Sequence, residues 1–371
     1  MKIGIEAQRI FRKAKHGMDY VVLQEIRELQ QIDKDNEYYV FVQPDEDRCV
    51  ESTDNVHIVE LNCPFYPLWE QWALPRAAKK YGLDLLHCTS NTAPIWCDIP
   101  LVLTLHDIIF LEPRDKQNHS LYQNLGWLYR RLVVPRILDK CRRIITVSNF
   151  EQENIITKLH IPRQRMAMIY NGYNEWFRPQ EDKEGVYKKY IPNKGYFFFL
   201  GNTDPKKNTE RTLVAYSKYL ERSVVRRRLL MADLAQDYLN DIILRNGIEN
   251  IRDHIVIPGY IVNRDLPYIY GNAFAFLYTS LRESFGIPLL ESMACGTPVI
   301  TSNTSSMPEI GGPDAILINP ENSEEIAEMM IKLENDADFY QEKRKICLER
   351  VKLFSWRNTA ENLLELYKSV L

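Results

Sequence analysis

Short apolar runs of strand length recur along this chain, each followed by a stretch with helical spacing. In the first half they are Lys2 to Ala7, Tyr38 to Val42, His57 to Leu61, Leu85 to Cys88, Leu101 to Leu105 and Ile144 to Val147. The series restarts with Tyr196 to Leu200, Arg228 to Ala232, His254 to Ile257, Ala273 to Tyr278, Pro298 to Thr301 and Ala315 to Ile318. Strands that alternate with helices imply parallel sheets, because joining two parallel strands takes a crossover. Two such series in 371 residues exceed what one hydrophobic core usually organises. The expected fold is therefore α/β, with two doubly wound, Rossmann-like domains.

The crossing between them is placed at residues 174–194, NEWFRPQEDKEGVYKKYIPNK, a charged, proline-punctuated stretch with a short helix inside. This gives a first domain over 1–173 and a second over 195–354. The last segment, FSWRNTAENLLELYKSVL, sets Ser355 as N-cap before Ala360, Leu363, Leu364 and Tyr367 at helical spacing. A terminal amphipathic helix is expected there.

Several function classes fall away on composition. A net charge of -3 gives no reason to expect a nucleic-acid partner. The seven cysteines are scattered and never spaced CxxC, which argues against a disulfide framework and a zinc site and fits a reducing cytoplasm. No window carries the roughly 18 to 20 uninterrupted apolar residues of a membrane-spanning helix. MKIGIEAQRIF shows neither a long apolar core nor a small-residue cleavage site, so a signal peptide is not expected. No GxGxxG follows the first strand, which counts against a dehydrogenase. The triplet Asp45 to Asp47 follows a strand and Pro44 and reads as a solvated loop rather than a metal site.

The segment FAFLYTSLRESFGIPLLESMACGTPVI carries the chemistry. A strand ends near Tyr278, a polar loop follows, Pro288 sits where a helix begins, and Gly296 closes it about two turns later. The loop Ser284, Phe285, Gly286, Ile287 then offers backbone N–H groups and the positive end of the helix dipole, an anion cradle. Glu283 stands on its rim and Glu291 lies inside the helix. Carboxylates avoid phosphate, so both are expected to face hydroxyls of one ligand. One glutamate beside a helix start would usually be a solvated surface residue; the pair flanking a cradle points to a nucleotide sugar.

E-x7-E followed by GTPVI and SSMPEI resembles the signature of the large family 4 of retaining glycosyltransferases. The resemblance implies a GT-B fold, two Rossmann-like domains facing across a cleft, with the C-terminal helix returning to the first domain. It also implies that Glu283 contacts donor-sugar hydroxyls, that the loop at Phe285, Gly286 and Ile287 holds the diphosphate, and that Glu291 holds the ribose. In FFFLGNTDPKKNTERTL a strand ends at Gly201 and a helix starts near Asn208 or Thr209. That loop is similar to the family's phosphate loop, with Lys207 matching the lysine before asparagine. Without a metal, the leaving diphosphate needs fixed cations and dipoles. Asn202 replaces the arginine that many members carry after the glycine, leaving Lys206 as the candidate second cation. Tyr260 and Ile261, after Gly259, fall where the family pairs main-chain groups with the base; a packing role for Tyr260 stays open.

In the first half, Gly17 matches a glycine-rich loop that closes over the diphosphate in the family, although GMDY stands in place of GIGRY. LVLTLHDIIFLEP puts His106 and Asp107 just past a strand's C-terminal end. It resembles the THDL segment of a mannosyltransferase-like subgroup, where the histidine lies near the donor sugar; because front-side retention requires no general base, His106 is expected to act in positioning and electrostatics. LWEQWALPRAAKKYGLDLLHCTSNTAP matches the same subgroup. The activity implied is metal-independent, cofactor-free transfer of a hexose with retention, mannose from GDP-mannose, to a saccharide or polyprenyl-linked acceptor in cell-surface polysaccharide synthesis. A nucleotide-sugar epimerase of similar architecture and a non-catalytic nucleotide-sugar-binding protein are the alternatives; a phosphorylase would be much longer. LYQNLGWLYRRLVVPRIL mixes Trp127, Tyr129, Arg130, Arg131 and Arg136 with apolar residues, which suits either docking at the inner face of a membrane or a core-facing helix with solvated arginines.

Overall fold

The computed structural model describes residues 1–112 and 121–370, and the side chains of these except 121–123. The chain divides into two compact units, one formed by Met1–Gly172 with Ser355–Leu371 and the other by Tyr173–Phe354.

The first unit holds β1 (Lys2–Glu6), β2 (Glu37–Val42), β3 (Val56–Glu60), β4 (Leu85–Cys88), β5 (Leu101–Thr104), β6 (Cys141–Thr146) and β7 (Met166–Met168). They form one parallel sheet in the order β3-β2-β1-β4-β5-β6-β7. Because successive side chains leave a strand on opposite faces, β2 splits its apolar residues between two cores. Tyr39 and Phe41 join Trp69, Leu103, Val133, Val134 and Ile137 on one side, whereas Tyr38 and Val40 join Ile5, Val22 and Ile26 on the other. The second core includes Ala360, Leu363 and Tyr367 of the terminal helix Trp356–Val370. Ser355 Oγ accepts the Asn358 N–H at 3.0 Å, capping that helix. The phenol of Tyr367 meets His87 Nδ1 at 2.7 Å.

The second unit holds β8 (Tyr196–Leu200), β9 (Leu229–Ala232), β10 (Ile255–Val256), β11 (Ala273–Tyr278), β12 (Val299–Ser302) and β13 (Ile316–Ile318). Its sheet is also parallel, in the order β10-β9-β8-β11-β12-β13. Phe197 and Phe199 point into a core with Leu213, Tyr216 and Met231, while Phe198 packs on Phe276 and Tyr270 on the opposite face. Residues 173–194 belong to this unit. Asp182 accepts the Val186 and Tyr187 N–H groups at 2.7 and 3.1 Å, and Asp265 takes the Tyr190 hydroxyl at 2.8 Å and the Lys189 ammonium at 3.2 Å.

Each sheet reverses its order once, at β1/β4 and at β8/β11. At such a point the chain departs to opposite faces of the sheet, which opens a crevice past the strands' C-terminal ends. No described helix is long and apolar enough to cross a membrane.

Candidate functional site

At the β8/β11 reversal two loops meet: 201–208 after β8 and 279–286 after β11. They are stitched by main chain and one amide. Leu281 N–H donates to the Lys206 carbonyl at 2.7 Å, and Asn208 Nδ2 donates to the Thr279 and Pro320 carbonyls at 3.0 and 2.7 Å. Asn208 is buried and takes a left-handed backbone, φ 60°, as it leads into the helix Thr209–Arg222. This clamp sets the next residue back. Lys207 Nζ reaches Glu283 Oε1 at 2.6 Å, both side chains being largely shielded, and sits 5.7 Å from the centre of the Tyr278 ring. Residues 76 apart in sequence thus present one cation and one anion at the switch point.

Glu283 is held from its backbone as well. Its N–H donates to Ser305 Oγ at 3.2 Å, and its carbonyl accepts from Ser306 Oγ at 3.0 Å. The same Ser306 hydroxyl reaches the Phe285 carbonyl at 3.1 Å, and the buried Phe285 ring packs edge-on against Phe354. Phe285 therefore anchors the loop that includes Ser284. The helix Ile287–Ala294 starts immediately after, with Gly286 at its N-cap, φ 104°. A Cβ there would lie 3.1 Å from Met307 Cε and 3.2 Å from Tyr278 Cε1, in a backbone region L residues rarely adopt. The N–H groups of Gly286 and Ile287 belong to a helix's first turn, where no intrahelical acceptor exists, so this end attracts an anion.

Glu291 lies one helical turn further on. Its carboxylate has one described hydrogen bond, a long one, 3.4 Å from the Tyr270 hydroxyl. Burial pushes its carboxyl up to about 7, with the Tyr270 hydroxyl opposing the rise. A carboxylate so poorly compensated gains strongly from any hydroxyl that donates to it.

The other sequence candidates of this unit separate into two groups. Gly201 follows β8 where a Cβ would strike the Phe199 ring at 2.7 Å, and Asn202 organises the loop, its Oδ1 accepting the Asp204 N–H at 2.9 Å and its carbonyl the Thr209 hydroxyl at 2.8 Å. Lys206 turns to Asp204 at 3.2 Å, not to Glu283, so the two adjacent lysines diverge. Tyr260 is exposed after Gly259, φ 79°, and Ile261 is buried.

In the first unit, His106 is buried past the end of β5. Its N–H donates to Asn91 Oδ1 at 2.7 Å, and its Nε2 meets the Thr89 carbonyl at 3.0 Å. A carbonyl only accepts, so Nε2 carries the proton and Nδ1 keeps its lone pair. Burial holds the imidazole below its ordinary range, against the opposing pull of the Thr89 carbonyl and Asp107, so it is neutral. Asp107 turns back to accept the Ile109 N–H at 3.0 Å. Gly17 opens the helix Gly17–Ile32 beside Asp19, whose carboxylate accepts the His16 N–H at 2.9 Å and pairs with Arg9 Nε at 3.1 Å. That helix end therefore already holds an anion.

Two buried carboxylates of this unit were not singled out by residue patterns. Glu6, at the end of β1, accepts from Thr89 N–H at 3.2 Å, Thr89 Oγ1 at 3.1 Å and Gln8 N–H at 3.1 Å. Glu70 lies in a π-helical turn, Trp69–Ala73, and collects Tyr66 at 2.7 Å, Gln71 at 2.8 Å, Thr92 at 2.5 Å and the Tyr129 hydroxyl. Burial raises its carboxyl, with the Thr92, Tyr129 and Tyr66 hydroxyls opposing. Such π-turns recur at functional sites.

Two doubly wound parallel-sheet units in one chain, the second with a cation, a carboxylate and a helix start at its switch point, define the GT-B class of glycosyltransferases. Residues 183–353 match the family described as glycosyl transferases group 1, and residues 16–176 match glycosyltransferase family 4. The chain belongs to family 4 of the glycosyltransferases. It is 29% identical over 281 residues to O-antigen chain mannosyltransferase B of Escherichia coli, covering 72% of this chain and 70% of that one. It is 27% identical over 282 residues to serotype-specific mannosyltransferase WbdA of Escherichia coli, covering 71% of this chain but 33% of that much longer protein. Sucrose-phosphate synthase from Thermosynechococcus elongatus has the same fold, with a TM-score of 0.77 at 18% identity over 100% of this chain and 98% of that one. So does Anabaena Alr3699/HepE, solved with UDP and glucose, with a TM-score of 0.72 at 18% identity and full coverage of both chains.

Proposed function

We propose that this glycosyltransferase is a metal-independent, retaining mannosyltransferase. It moves mannose from GDP-mannose to a saccharide or polyprenyl-linked acceptor in the synthesis of an O-antigen-type surface polysaccharide, working in the cytoplasm at the inner face of the membrane. The observation that carries the reading is the Lys207–Glu283 pair beside the helix start at Ile287. The names of the two mannosyltransferase relatives support the choice of sugar and polymer.

Each residue has a role set by its charge. Lys207 and the N–H groups of Gly286 and Ile287 neutralise the diphosphate as its bond to the sugar breaks. Glu283, the partner of Lys207, accepts from hydroxyls of the mannose, and Glu291 accepts from the ribose. The neutral His106 offers Nδ1 to a substrate hydroxyl. In the transfer the anomeric carbon loses its bond to the diphosphate oxygen and gains one to the acceptor oxygen on the same face. The acceptor's proton passes to the departing phosphate oxygen, so no protein base is required. Fixed geometry supplies much of the acceleration.

The test is product stereochemistry. Supplied with GDP-mannose and a mannose-terminated oligosaccharide, the enzyme is expected to form a new α-mannosidic linkage, identified by the anomeric carbon–proton coupling. A β-linked product, or transfer from another sugar nucleotide only, would overturn this reading.

A further inference from the structure

All the large hydrophobic side chains that the first unit leaves exposed, among its described residues, fall in one region: Phe65, Trp72, Trp96, Leu125, Leu128 and Leu132. Trp96 is 76% exposed and Leu125 66%. Isolated exposed apolar residues are ordinary, but a cluster is not. One side chain ties the segments together. Gln71, next to Trp72, accepts the Ile95 N–H at 2.9 Å, next to Trp96, and donates to the Tyr129 hydroxyl at 2.8 Å, next to Leu128. Tyr66, next to Phe65, sets its ring edge-on to Tyr129 at 6.0 Å.

The helix Leu121–Ile137 shows two faces. Val133, Val134 and Ile137 are buried in the core, and at 100° per residue Leu125, Leu128 and Leu132 line the opposite side. The residues expected to dock from their aromatic and basic character are placed otherwise. Trp127 packs against the core and Tyr129 is bonded to Glu70, so the outward apolar face is leucine.

The helix and the segment that follows it are one-sided in charge. In a chain of net charge -3, residues 124–143 carry six cations, Arg130, Arg131, Arg136, Lys140, Arg142 and Arg143, against the single carboxylate of Asp139. Asp139 is itself paired with Arg165 at 3.5 Å. Arg76 lies over the Trp72 ring at 4.1 Å, an apolar body with a cationic cap, as suits the level of lipid headgroups.

We infer that this face docks on an anionic lipid bilayer, with the three leucines and Trp96 entering the headgroup boundary and the flanking cations meeting the lipid phosphates. The inference deepens the reading of a membrane-linked acceptor and rests on it. The assay requires neither donor nor acceptor, so its failure is separable from failure of the transferase reading.

The full chain is sedimented with vesicles of phosphatidylcholine alone and of phosphatidylcholine mixed with phosphatidylglycerol. Binding to the anionic vesicles, weakened by added salt, is expected for the native chain. The variant Leu125→Ser/Leu128→Ser/Leu132→Ser is expected to partition at least about tenfold less, since each leucine withdraws apolar area from the boundary. Its melting temperature and nucleotide binding should not change, because the three side chains lie opposite the core. Trp96→Ser alone should reduce partitioning by a smaller factor. Equal binding of native and triple-variant chains overturns the inference, as does a native chain left in the supernatant. A native dimer in sedimentation velocity that the triple variant abolishes, without vesicle binding by either, assigns the face to a second copy and also overturns it.

Discussion

Replacing Lys207 by Met removes a cation that the structure aims at the Glu283 carboxylate. The carboxylate, with 14% of its side-chain surface exposed, is left without its 2.6 Å partner. A poorly solvated acceptor that loses its donor costs about 1–3 kcal/mol; the remaining exposure keeps the cost below that of a fully buried pair. At roughly 2–4 °C per kcal/mol for units of this size, the melting temperature should fall by about 2–12 °C. Loss of a fixed cation from the departing diphosphate should lower turnover by about 10²–10³. Stability and catalysis then separate in the double variant Lys207→Met/Glu283→Gln, in which neither group is left as an unpaired charge. Calorimetry should show most of the lost stability regained, while mannose transfer stays at or below the level of Lys207→Met. If the double variant recovered turnover along with its melting temperature, the pair would be a structural link only and the assignment of Lys207 to the diphosphate would fail.

Glu291 gives a pH signature. Its folded carboxyl sits at about 7 against 4.5 for the free group, so between those values the folded chain holds the proton that the unfolded chain has released. Its contribution to stability is complete below about 4.5 and is lost as pH rises through about 7, at most about 3 kcal/mol. Glu291→Gln should flatten that slope in denaturant melts. Hydroxyls donate to the ionised form, so the Kd for intact nucleotide sugar should drop as pH rises from about 6 to 8, and a Kd indifferent to pH would remove Glu291 from the ribose. Gly286→Ala forces a Cβ against Tyr278 and Met307 at 3.2 and 3.1 Å with φ at 104°. It should destabilise by about 1–3 kcal/mol and weaken diphosphate binding; unchanged thermal unfolding would show that the loop relaxes freely.

The two parallel sheets were legible because each strand is an apolar run of its own, bounded by turn residues. β7 was not: RQRMAM offers three residues at the sheet edge amid charge, too short for any period to show. The helix start at Ile287 was legible from Pro288 and the two glycines that bracket it. What no local pattern carries is direction. Lys206 and Lys207 look alike in sequence, and only the Asn208 clamp across to Thr279 and Pro320 sends one to Glu283 and leaves the other with Asp204. Glu70 was hidden for the same reason. In LWEQW a charged residue between tryptophans reads as solvent-facing, but the π-turn rotates it inward to hydroxyls from Thr92 and Tyr129, 22 and 59 residues away. Leu125, Leu128 and Leu132 look like core residues until Val133, Val134 and Ile137 take that side of the helix.

The central claim is that the second unit binds a nucleotide diphosphate sugar through Lys207, Glu283 and the helix start at Ile287. Thermal unfolding across a panel of sugar nucleotides and nucleoside diphosphates tests it most directly, because a ligand that binds only the folded state raises the melting temperature by mass action. At a hundredfold excess over Kd the stabilisation is about 2.7 kcal/mol, or roughly 5–10 °C here, expected for GDP-mannose and GDP and absent in Lys207→Met. If no sugar nucleotide or diphosphate shifted the native chain, or if Lys207→Met responded as the native chain does, the claim would be contradicted.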